Sequence, residues 1–492
     1  MRTGGKNLRV ATALCITLIA FWAGCKPREA DTGKVPITTS SEEARKEFVL
    51  GRDALDRGQT QSAAVHISNA LAKDSNLALA YLSLAQLSPT SMSFYDNVSK
   101  AASLSGMASR GEQLLILAFQ AGENNNPTLE ESFYDTLIAL YPRDERAHFT
   151  LGTFYQFTYQ DYARAADQYR KAIELDSTFA PAFNVLGYSS HSLDQNSQAD
   201  VAFRKYIQLS PNDPNAHDSY GEFLLNEGRF EESTAQYTQA LALDSMFITS
   251  HVGIAANLLY LGKPDEGQAR LQTLLGLVRN DLDRRTILTA RIVHYVDAGK
   301  TDPALHEVGT RFALAEQAKD FARMANDRRM QGSILVQAGR IREAEGAYAS
   351  AAMIAQNSSL PQSARDYSQR YQHSDNAMVA LKKKDFTVAE AECDKFCKSA
   401  EAIHDQGSIR DGHALAGEIA LDVKKYDKAI AELQQADQAS PYVQYLLSMA
   451  HLGKGDRVNA KMLCAKAAHS YAAMDLGYAF IRTRAEQILR TL

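Results

Sequence analysis

The stretch APAFNVLGYSSHSLDQNSQADVAFRKYIQLSPND, residues 180–213, decides the fold because the two segments that follow it repeat its pattern. Three kinds of position recur at intervals of 34 residues. A large residue followed by a small one occurs at Leu186-Gly187, Tyr220-Gly221 and Ile254-Ala255. A small residue then follows at Ala199, Ser233 and Gly267, and a large residue at Phe203, Tyr237 and Leu271. A fixed period of this length indicates a repeat array. Each unit of such an array is one supersecondary element that stacks on its neighbours to bury its apolar face.

Each unit is predicted to contain two helices. Small or apolar residues at i, i+3, i+4 and i+7 mark one face of each helix: Phe183, Leu186, Gly187 and Ser190, then Ala199, Ala202, Phe203 and Tyr206. A short polar turn separates the helices, and in the next two units it contains Gly228 and Gly262, which suit the left-handed residue that ends a helix. Gly187 lacks a side chain where the helices approach, and we expect Phe203 to fill the gap opposite.

At these residues the sequence resembles the tetratricopeptide repeat family. The family pattern of a large residue, Leu-Gly, an aromatic, an alanine, an aromatic and a proline reads here as Phe183, Leu186-Gly187, Ser190, Ala199, Phe203 and Pro211. The Leu-Gly marker recurs at spacings of 33 to 35 residues through Gly51, Ala85, Ala118, Gly152, Gly187, Gly221 and Ala255. The resemblance implies an all-α fold, a right-handed superhelical solenoid of antiparallel helix hairpins.

Beyond Ala255 the repeats are less regular. Markers can still be placed at Gly332, Ala377, Gly417 and Ala450, with turns at Gly299-Lys300, Gly339-Arg340, Lys384-Asp385, Lys424-Lys425 and Gly455-Asp456. The spacings of 45, 40 and 33 residues indicate lengthened helices. The predicted segments are a signal peptide (1–24), a tether (25–41), a regular array (42–277), a poorly phased helical joint (278–330) and divergent repeats with a C-terminal capping helix (331–492).

The N-terminus has the pattern of an export signal. Basic residues precede the apolar run Val10 to Trp22, which at 13 residues is shorter than the roughly 20 that span a membrane. Ala23-Gly24-Cys25 follows, and this resembles a bacterial lipoprotein signal, which implies that Cys25 is the lipidated first residue. Trp22 departs from the aliphatic residue usual at its position, so an uncleaved anchor is the alternative. Either anchor predicts an exported protein held at a membrane of the cell envelope, on its periplasmic or outer face.

Composition and motifs indicate no catalytic chemistry. The net charge of −5 provides no basic surface for nucleic acid. The sequence has no phosphate-binding glycine loop, no Gly-x-Ser-x-Gly elbow and no His-Glu-x-x-His pair. We therefore predict a protein that is not an enzyme and uses no cofactor and no metal. The alternative of a site within 278–329 would involve polar residues there: Arg284, Arg285, His294, Tyr295 and Asp297.

The histidines and cysteines are better explained by packing than by metal binding. His148, His217 and His251 share one repeat position, but adjacent packed helices lie about 8 to 10 Å apart, too far for ligands that each sit ~2.1 Å from one ion. We therefore expect them to pack. Cys393 and Cys464 fall at large-residue positions and are expected to be small buried side chains. Cys397 lies one helical turn from Cys393, so an oxidising compartment could join these two.

The predicted binding site is the concave face. In tetratricopeptide arrays this face is lined by the first helix of each hairpin, and the resemblance places ten residues there: Phe149, Thr153, Gln156, Phe157, Asn184, Tyr188, His191, Asp218, Glu222 and Asn226. Aromatic side chains mixed with acids and amides suit an extended peptide or a partner helix. Two functions remain open, a membrane-tethered scaffold for a protein partner and a solute- or glycan-binding lipoprotein associated with a transporter. The second lacks aromatic platforms, because the only tryptophan is Trp22.

Overall fold

The described chain is built from α-helices that pair in sequence order. A computed structural model describes residues 33–278 and 280–492, and within these ranges 25 α-helices follow one another without a strand. Helices α1 to α24 form twelve hairpins of neighbouring helices, and α25 ends the chain. The molecule is an all-α solenoid, as the repeat pattern predicted.

The first helices of the hairpins are α1 (Glu42–Asp56), α3 (Ala78–Gln86), α5 (Arg110–Glu123), α7 (Glu145–Phe157), α9 (Ala180–Ser192), α11 (Pro214–Asn226), α13 (Ile248–Tyr260), α15 (Asp281–Asp297), α17 (Phe321–Gln337), α19 (Gln362–Lys382), α21 (Gln406–Asp422) and α23 (Pro441–Lys454). The second helices are α2 (Thr60–Lys73), α4 (Ser91–Leu104), α6 (Pro127–Leu140), α8 (Tyr162–Leu175), α10 (Asn196–Leu209), α12 (Phe230–Leu243), α14 (Pro264–Leu277), α16 (Thr301–Gln317), α18 (Ile341–Gln356), α20 (Phe386–Glu401), α22 (Tyr426–Leu433) and α24 (Arg457–Ala468). The last helix is α25 (Leu476–Leu489), and a short 3₁₀ helix (Ser105–Met107) follows α4.

The predicted turns are confirmed. Left-handed backbone ends the first helix at Gly228 (φ 71°), Gly262 (φ 78°) and five further turns: Gly299, Gly339, Lys384, Lys424 and Gly455. Two of these turns use lysine, at Lys384 (φ 62°) and Lys424 (φ 60°), where an L-residue is less favourable than glycine.

The predicted packing of small against large residues is also confirmed. A Cβ built on Gly187 would lie 2.7 Å from the Phe203 ring, and one built on Gly152 would lie 2.6 Å from Tyr169. The same arrangement recurs in the divergent half, where a Cβ on Gly332 would lie 2.5 Å from Tyr348. Each hairpin of this kind therefore depends on a helical glycine that lets an aromatic ring of the second helix reach the first.

The segment predicted as a joint is an ordinary hairpin with longer helices. Helices α15 and α16 have 17 residues each, whereas most helices of the preceding hairpins have 13 or 14. The next hairpin begins with α17 at Phe321, inside the predicted joint. The additional helical turn displaces the small and large positions from their 34-residue period, which is why the pattern is poorly phased here.

The array returns on itself, so that turns of early hairpins contact loops of late ones. Four contacts occur in the same order along both parts of the chain: Ser91 with Asp320, Asn125 with Ser363, Tyr159 with Arg410, and Asp194 with Lys466. We call α1–α14 the first coil, α17–α25 the second coil and this line of contacts the seam. The parallel order places the second coil alongside the first, one superhelical turn later.

The C-terminal helix closes the array and also binds its middle. Tyr478 and Ile481 of α25 are buried in a cluster with Cys464 of α24, as expected for a cap. On its other side Arg482 reaches Asp297 at the end of α15, with nitrogen-to-oxygen distances of 2.6 and 2.5 Å. The Tyr478 ring of α25 also lies against the Tyr260 ring of α13 in the first coil, so α25 is a bridge between the coils as well as the predicted cap.

Part of the predicted tether is packed on the body. We call residues 33–40 the strap. The Val35 amide donates to Asp144 Oδ2 (2.6 Å), the Thr38 amide donates to Glu112 Oε1 (2.9 Å), and Arg45 donates to the Ile37 carbonyl (2.6 Å). Residues 33–40 of the predicted tether (25–41) are thus held against the body, because buried carboxylates at the starts of α5 and α7 accept from their main-chain amides. Residues 25–32, with Cys25, lie outside the described residues.

None of the helices in the two described ranges has the length and apolar character needed to cross a membrane.

Candidate functional site

The first helices of four consecutive hairpins line an apolar groove on the first coil. Its cavity of about 300 Å³ contains the predicted residues Phe149 and Thr153. The other side chains that line it come mainly from α1, α3 and α5 and include Phe48, Leu82, Leu115 and Phe119. We call this surface the N-terminal groove.

Most of these lining residues were missed by the sequence prediction, although a signal for them existed. Leu82 and Leu115 stand three residues before the markers Ala85 and Ala118, the position that Phe149 holds relative to Gly152. Phe119 stands one residue after its marker, as Thr153 does. Extension of the position rule from three repeats to the earlier ones predicts these groove residues.

A second group of predicted residues forms a hydrogen-bonded network between α9, α11 and α13. Tyr188 donates to Glu222 (2.7 Å), and Asp218 accepts from Thr249 (2.9 Å) and Ser250 (2.6 Å). Burial raises the pKa of Asp218 to about 7 and also raises the pKa of Glu222. The two carboxyls lie one helical turn apart, and no cation among the described residues forms an ion pair with either. The hydroxyl donors favour the ionised carboxylates and only partly offset the effect of burial.

Two more predicted residues, His191 and Asn226, line a polar cavity of about 560 Å³ between the coils. The second coil contributes amide side chains, Gln438 and Gln444, together with Lys466. The predicted stripe therefore runs from an apolar groove, through an acidic network, to a polar cavity at the seam.

The remaining predicted residues differ in accessibility. Phe157 is 69% exposed. Asn184 is partly buried, and its side-chain oxygen has no hydrogen-bond partner among the described residues. Gln156 is only 8% exposed, and its oxygen accepts from Tyr169 (2.9 Å) and Ser189 (3.0 Å). Its assignment to a partner-binding surface is therefore wrong, because the side chain is used between helices.

The polar residues of the alternative catalytic segment are engaged in structural contacts. Arg285 donates to Asp327 at 2.8 and 2.9 Å, Asp297 binds Arg482, and Arg284 pairs with Asp281. His294 is 1% exposed, and burial lowers its pKa to about 4. Arg285 and Asp297 thus join α15 to α17 and α25, whereas the Arg284 pair lies within α15.

The aligned histidines hold hairpins together. His148 Nδ1 lies 2.8 Å from Gln168 Oε1, and His217 Nδ1 lies 2.8 Å from Gln236 Oε1 on the second helix of the same hairpin. In the described ranges no three His, Cys, Asp or Glu side chains are grouped as a metal site would require.

Cys393 and Cys464 are buried, and Cys397 is partly buried. Cys393 and Cys397 are free thiols with their Sγ atoms 4.0 Å apart.

Comparison with known proteins finds partial similarities. No protein-family model matches the chain. A segment is 30% identical over 138 residues to Superkiller complex protein 3 of Homo sapiens, and the match covers 27% of this chain and only 9% of that protein. The chain therefore spans less than a tenth of the length of this curated relative.

Two solved structures illustrate the similarity. A tetratricopeptide repeat protein from Parabacteroides merdae ATCC 43184 is 12% identical, with 56% of this chain and 94% of that chain covered and a TM-score of 0.36. A thermophilic repeat protein of Thermus thermophilus is 17% identical, with 39% and 98% covered and a TM-score of 0.32. The hairpins of the present chain, with their periodic glycine-to-aromatic contacts, have the tetratricopeptide repeat fold.

Proposed function

We propose that the protein is a non-enzymatic scaffold that binds a protein partner along the concave side of its first coil. The observation that carries the proposal is the N-terminal groove, in which Leu82, Leu115 and Phe149 occupy one repeat position on successive helices and present their side chains to the same cavity. Regularly spaced apolar side chains of this kind match the i, i+3, i+4 and i+7 anchors of a partner helix or the alternate residues of an extended peptide.

The charges in the groove favour an apolar partner segment. Arg146 is held by Asp53 (2.9 Å) and Asp56 (2.6 Å), so its charge is compensated within the protein. Arg52 lies beside the same carboxylates, 3.6 Å from Asp53. The cluster is electrically balanced, and a partner need not supply a charge there.

The way the strap is bound supports recognition of an extended partner peptide at the rim of the N-terminal groove. Val35 and Ile37 line the N-terminal groove, and the strap's main-chain amides are bound by carboxylates at the helix starts. The main-chain amides of a partner peptide would likewise meet carboxylate acceptors at the edge of the groove.

We further propose that Cys25 carries a lipid that holds the protein at a bacterial envelope membrane, on the periplasmic or outer face. If Cys25 is the first residue, seven residues separate it from Gly33, and the eight Cα-to-Cα steps between the two span at most about 28 Å. The body would then stay close to the bilayer, with the edge formed by the starts of α5 and α7 facing it.

The polar cavity at the seam favours one alternative function, a solute- or glycan-binding lipoprotein associated with a transporter. Amide and imidazole side chains such as Asn226, Gln438 and His191 suit hydroxyl-rich ligands. The described residues of this cavity supply no tryptophan to stack on a sugar, which is why we place this function second.

Site-directed photocrosslinking in intact cells tests the scaffold proposal. A photoreactive phenylalanine analogue at Phe119 or Phe149, which both line the N-terminal groove, should capture the partner, whereas the same analogue at Val201, which is 68% exposed on α10, should not. Equal capture at all three positions, or capture at Val201 alone, would reject the groove as the binding site. Because the analogue is aromatic, it retains most of the packing of Phe119 and Phe149.

Metabolic labelling with an alkyne-bearing fatty acid tests the anchor. We expect label on the wild-type chain and none on Cys25→Ser, with Cys393→Ser labelled as strongly as wild type. Retention of label by Cys25→Ser would reject lipidation at this residue.

A further inference from the structure

A cavity at the seam between the coils has no role in the proposed partner binding. It has a volume of about 390 Å³ and lies between Tyr95 and Glu123 of the first coil and Asn326, Tyr367 and Ser368 of the second. Alanines of α17, α18 and α19 supply much of its apolar wall. The size falls within the range of small-molecule sites.

Glu123 is an uncompensated carboxylate in this cavity. It makes no hydrogen bond and no ion pair within residues 33–278 and 280–492, although burial raises its pKa to about 7. Glu130 lies close to Gly122, and burial raises the pKa of Glu130 to about 8. Glu130 does not line the cavity itself, so Glu123 is the acidic group that the first-coil wall presents to it without a protein cation.

The cations on the second-coil wall are already paired. Arg329 donates to Asp375 at 2.9 and 3.1 Å and lies 4.6 Å from the centre of the Tyr371 ring. The neighbouring arginines are bound elsewhere, Arg323 to Asp320 and the Pro89 carbonyl, Arg365 to the Leu360 carbonyl, and Arg370 to Asp405. None of them forms an ion pair with Glu123.

Other polar groups that face the cavity are also unpartnered. Among the described residues no hydrogen bond is formed by the hydroxyls of Tyr95, Tyr367 and Ser368 or by the side-chain amide of Asn326. Tyr95 and Ser368 are partly buried, whereas Asn326 and Tyr367 are exposed, so the four groups leave hydrogen-bonding capacity at the mouth of the cavity open to a ligand. Burial and the nearby carboxylates of Glu123 and Asp320 raise the pKa of Tyr95 to about 12, which keeps its hydroxyl protonated as a donor.

We propose that this cavity binds an alkylammonium group, with the ammonium ion paired to Glu123 and the methylene chain against the alanines and the faces of Tyr95 and Tyr367. An ammonium ion compensates the carboxylate, donates to the hydroxyl and amide oxygens, and is attracted to tyrosine ring faces. A free small amine and the side chain of a lysine share this chemistry. The inference is independent of the N-terminal groove, because the two sites have no lining residue in common.

Isothermal titration of the purified full-length chain with 1,5-diaminopentane tests the proposal. At about pH 8 the Glu123 carboxylate is largely ionised while the amine remains protonated. We expect 1,5-diaminopentane and butylamine to bind, and butanol and butyrate to bind at least about tenfold more weakly, because each lacks the cation. Equal or tighter binding of butyrate would overturn the assignment of a cation site.

Substitutions in and outside the cavity test whether 1,5-diaminopentane binds at Glu123. Glu123→Gln should weaken binding of 1,5-diaminopentane by about tenfold or more, whereas Glu316→Gln, at an exposed glutamate of α16, should leave it unchanged. Should Glu123→Gln fail to fold by circular dichroism, Tyr367→Ala replaces it, since Tyr367 is 40% exposed and its removal should weaken binding several-fold. Unaltered affinity in the folded variant would overturn the proposal.

A second titration distinguishes the two sources of the ammonium group. A blocked lysine, N-acetyl-lysine methylamide, carries a bulky backbone that a free amine lacks. Tighter binding of the blocked lysine than of butylamine assigns the cavity to a lysine side chain of a protein, and the reverse order assigns it to a free amine. Failure of both amines to bind would reject the site while leaving the partner-binding proposal intact.

Discussion

At the scale of single residues, glycine and aromatic positions decide how each hairpin packs. Gly187 is confined by the Phe203 ring, whereas Gly309, which lies in the interior of α16, has no atom within 4 Å of a Cβ built on it. A side chain at Gly187 would therefore clash with the ring, whereas a side chain at Gly309 would meet open space.

We expect Gly187→Ala to destabilise the protein by about 1 to 3 kcal/mol, because the ring cannot move aside within a packed hairpin. Gly309→Ala, the matched control, should stabilise it by about 0.5 to 1 kcal/mol by lowering the backbone entropy of the unfolded chain. Chemical denaturation of both variants measures the difference. A Gly187→Ala protein as stable as the control would contradict the packing argument.

Buried carboxyls make stability depend on pH. Glu130 is 9% exposed, and burial raises its pKa from the ordinary 4.5 to about 8. Between these values the folded chain retains a proton that the unfolded chain has lost. The free energy of unfolding therefore falls as the pH rises from about 4.5 to about 8.

Glu130→Gln should reduce this fall by on the order of 2 to 4 kcal/mol, since the amide cannot ionise. Glu231→Gln, at an exposed position on α12, should leave the pH profile unchanged. Urea denaturation at several pH values provides the measurement, and a parallel profile for Glu130→Gln and wild type would show that this carboxyl does not titrate as described.

At the scale of elements, the strap and α25 depend on a few polar contacts. Glu112 is 1% exposed and accepts from the Thr38 amide, the Thr38 hydroxyl and the Ser109 amide. One carboxylate thereby caps α5 and holds the strap against it.

Thr38→Val removes the hydroxyl donor while preserving side-chain shape. We expect amide hydrogen exchange in residues 34–40 to accelerate by about tenfold, as loss of a charge-assisted hydrogen bond implies. Thr136→Val is the control, because the Thr136 hydroxyl bonds only within α6, to the Ser132 carbonyl (2.8 Å). Unchanged protection of the strap would mean that apolar packing of Val35 and Ile37 alone retains it.

The Arg482 to Asp297 pair joins α25 to α15, and Asp297 is only 9% exposed. Arg482→Ala would leave that carboxylate buried without its cation, so we expect a loss of about 3 to 5 kcal/mol. Arg490→Ala, at the exposed end of the chain, should have no measurable effect. Thermal unfolding compares the two, and equal midpoints would show that α25 is held by its apolar face.

At the scale of the whole molecule, the seam determines the overall dimensions. Arg323 donates to the Pro89 carbonyl (2.6 Å), and Arg410 donates to the Tyr159 carbonyl, so each crosses between coils. Such contacts join parts of the chain separated by more than 200 residues, while each hairpin is stabilised mainly by its neighbours.

The double variant Arg323→Ala, Arg410→Ala should open the seam without unfolding the hairpins. We expect the radius of gyration from small-angle X-ray scattering to increase while the helical circular dichroism stays constant. Arg342→Ala, at an exposed arginine of α18, is the control. An unchanged radius would show that α25 is sufficient to hold the coils together.

The sequence by itself determined the helices, turns and hairpins, because these depend on contacts between residues a few positions apart or one repeat apart. The pairing of Gly187 with Phe203 and the left-handed turns at Gly228 and Gly262 follow from that spacing alone. The fixed offset from the Leu-Gly marker locates Phe149 and Thr153, and applied to every repeat it also locates Leu82 and Leu115. Gln156 was placed on the wrong surface because helical spacing alone does not reveal a neighbouring tyrosine and serine that bind its amide.

Only the tertiary structure decided the seam, the bridge made by α25, the position of the strap and the cavity around Glu123. These features depend on the small rotation between successive hairpins, which accumulates over a whole superhelical turn before distant parts of the chain meet. The local sequence pattern of a repeat does not reveal the total rotation accumulated over many hairpins. In the sequence Glu123 is one more acid at a helix end, and it becomes an unpaired, partly buried carboxylate because the second coil covers it.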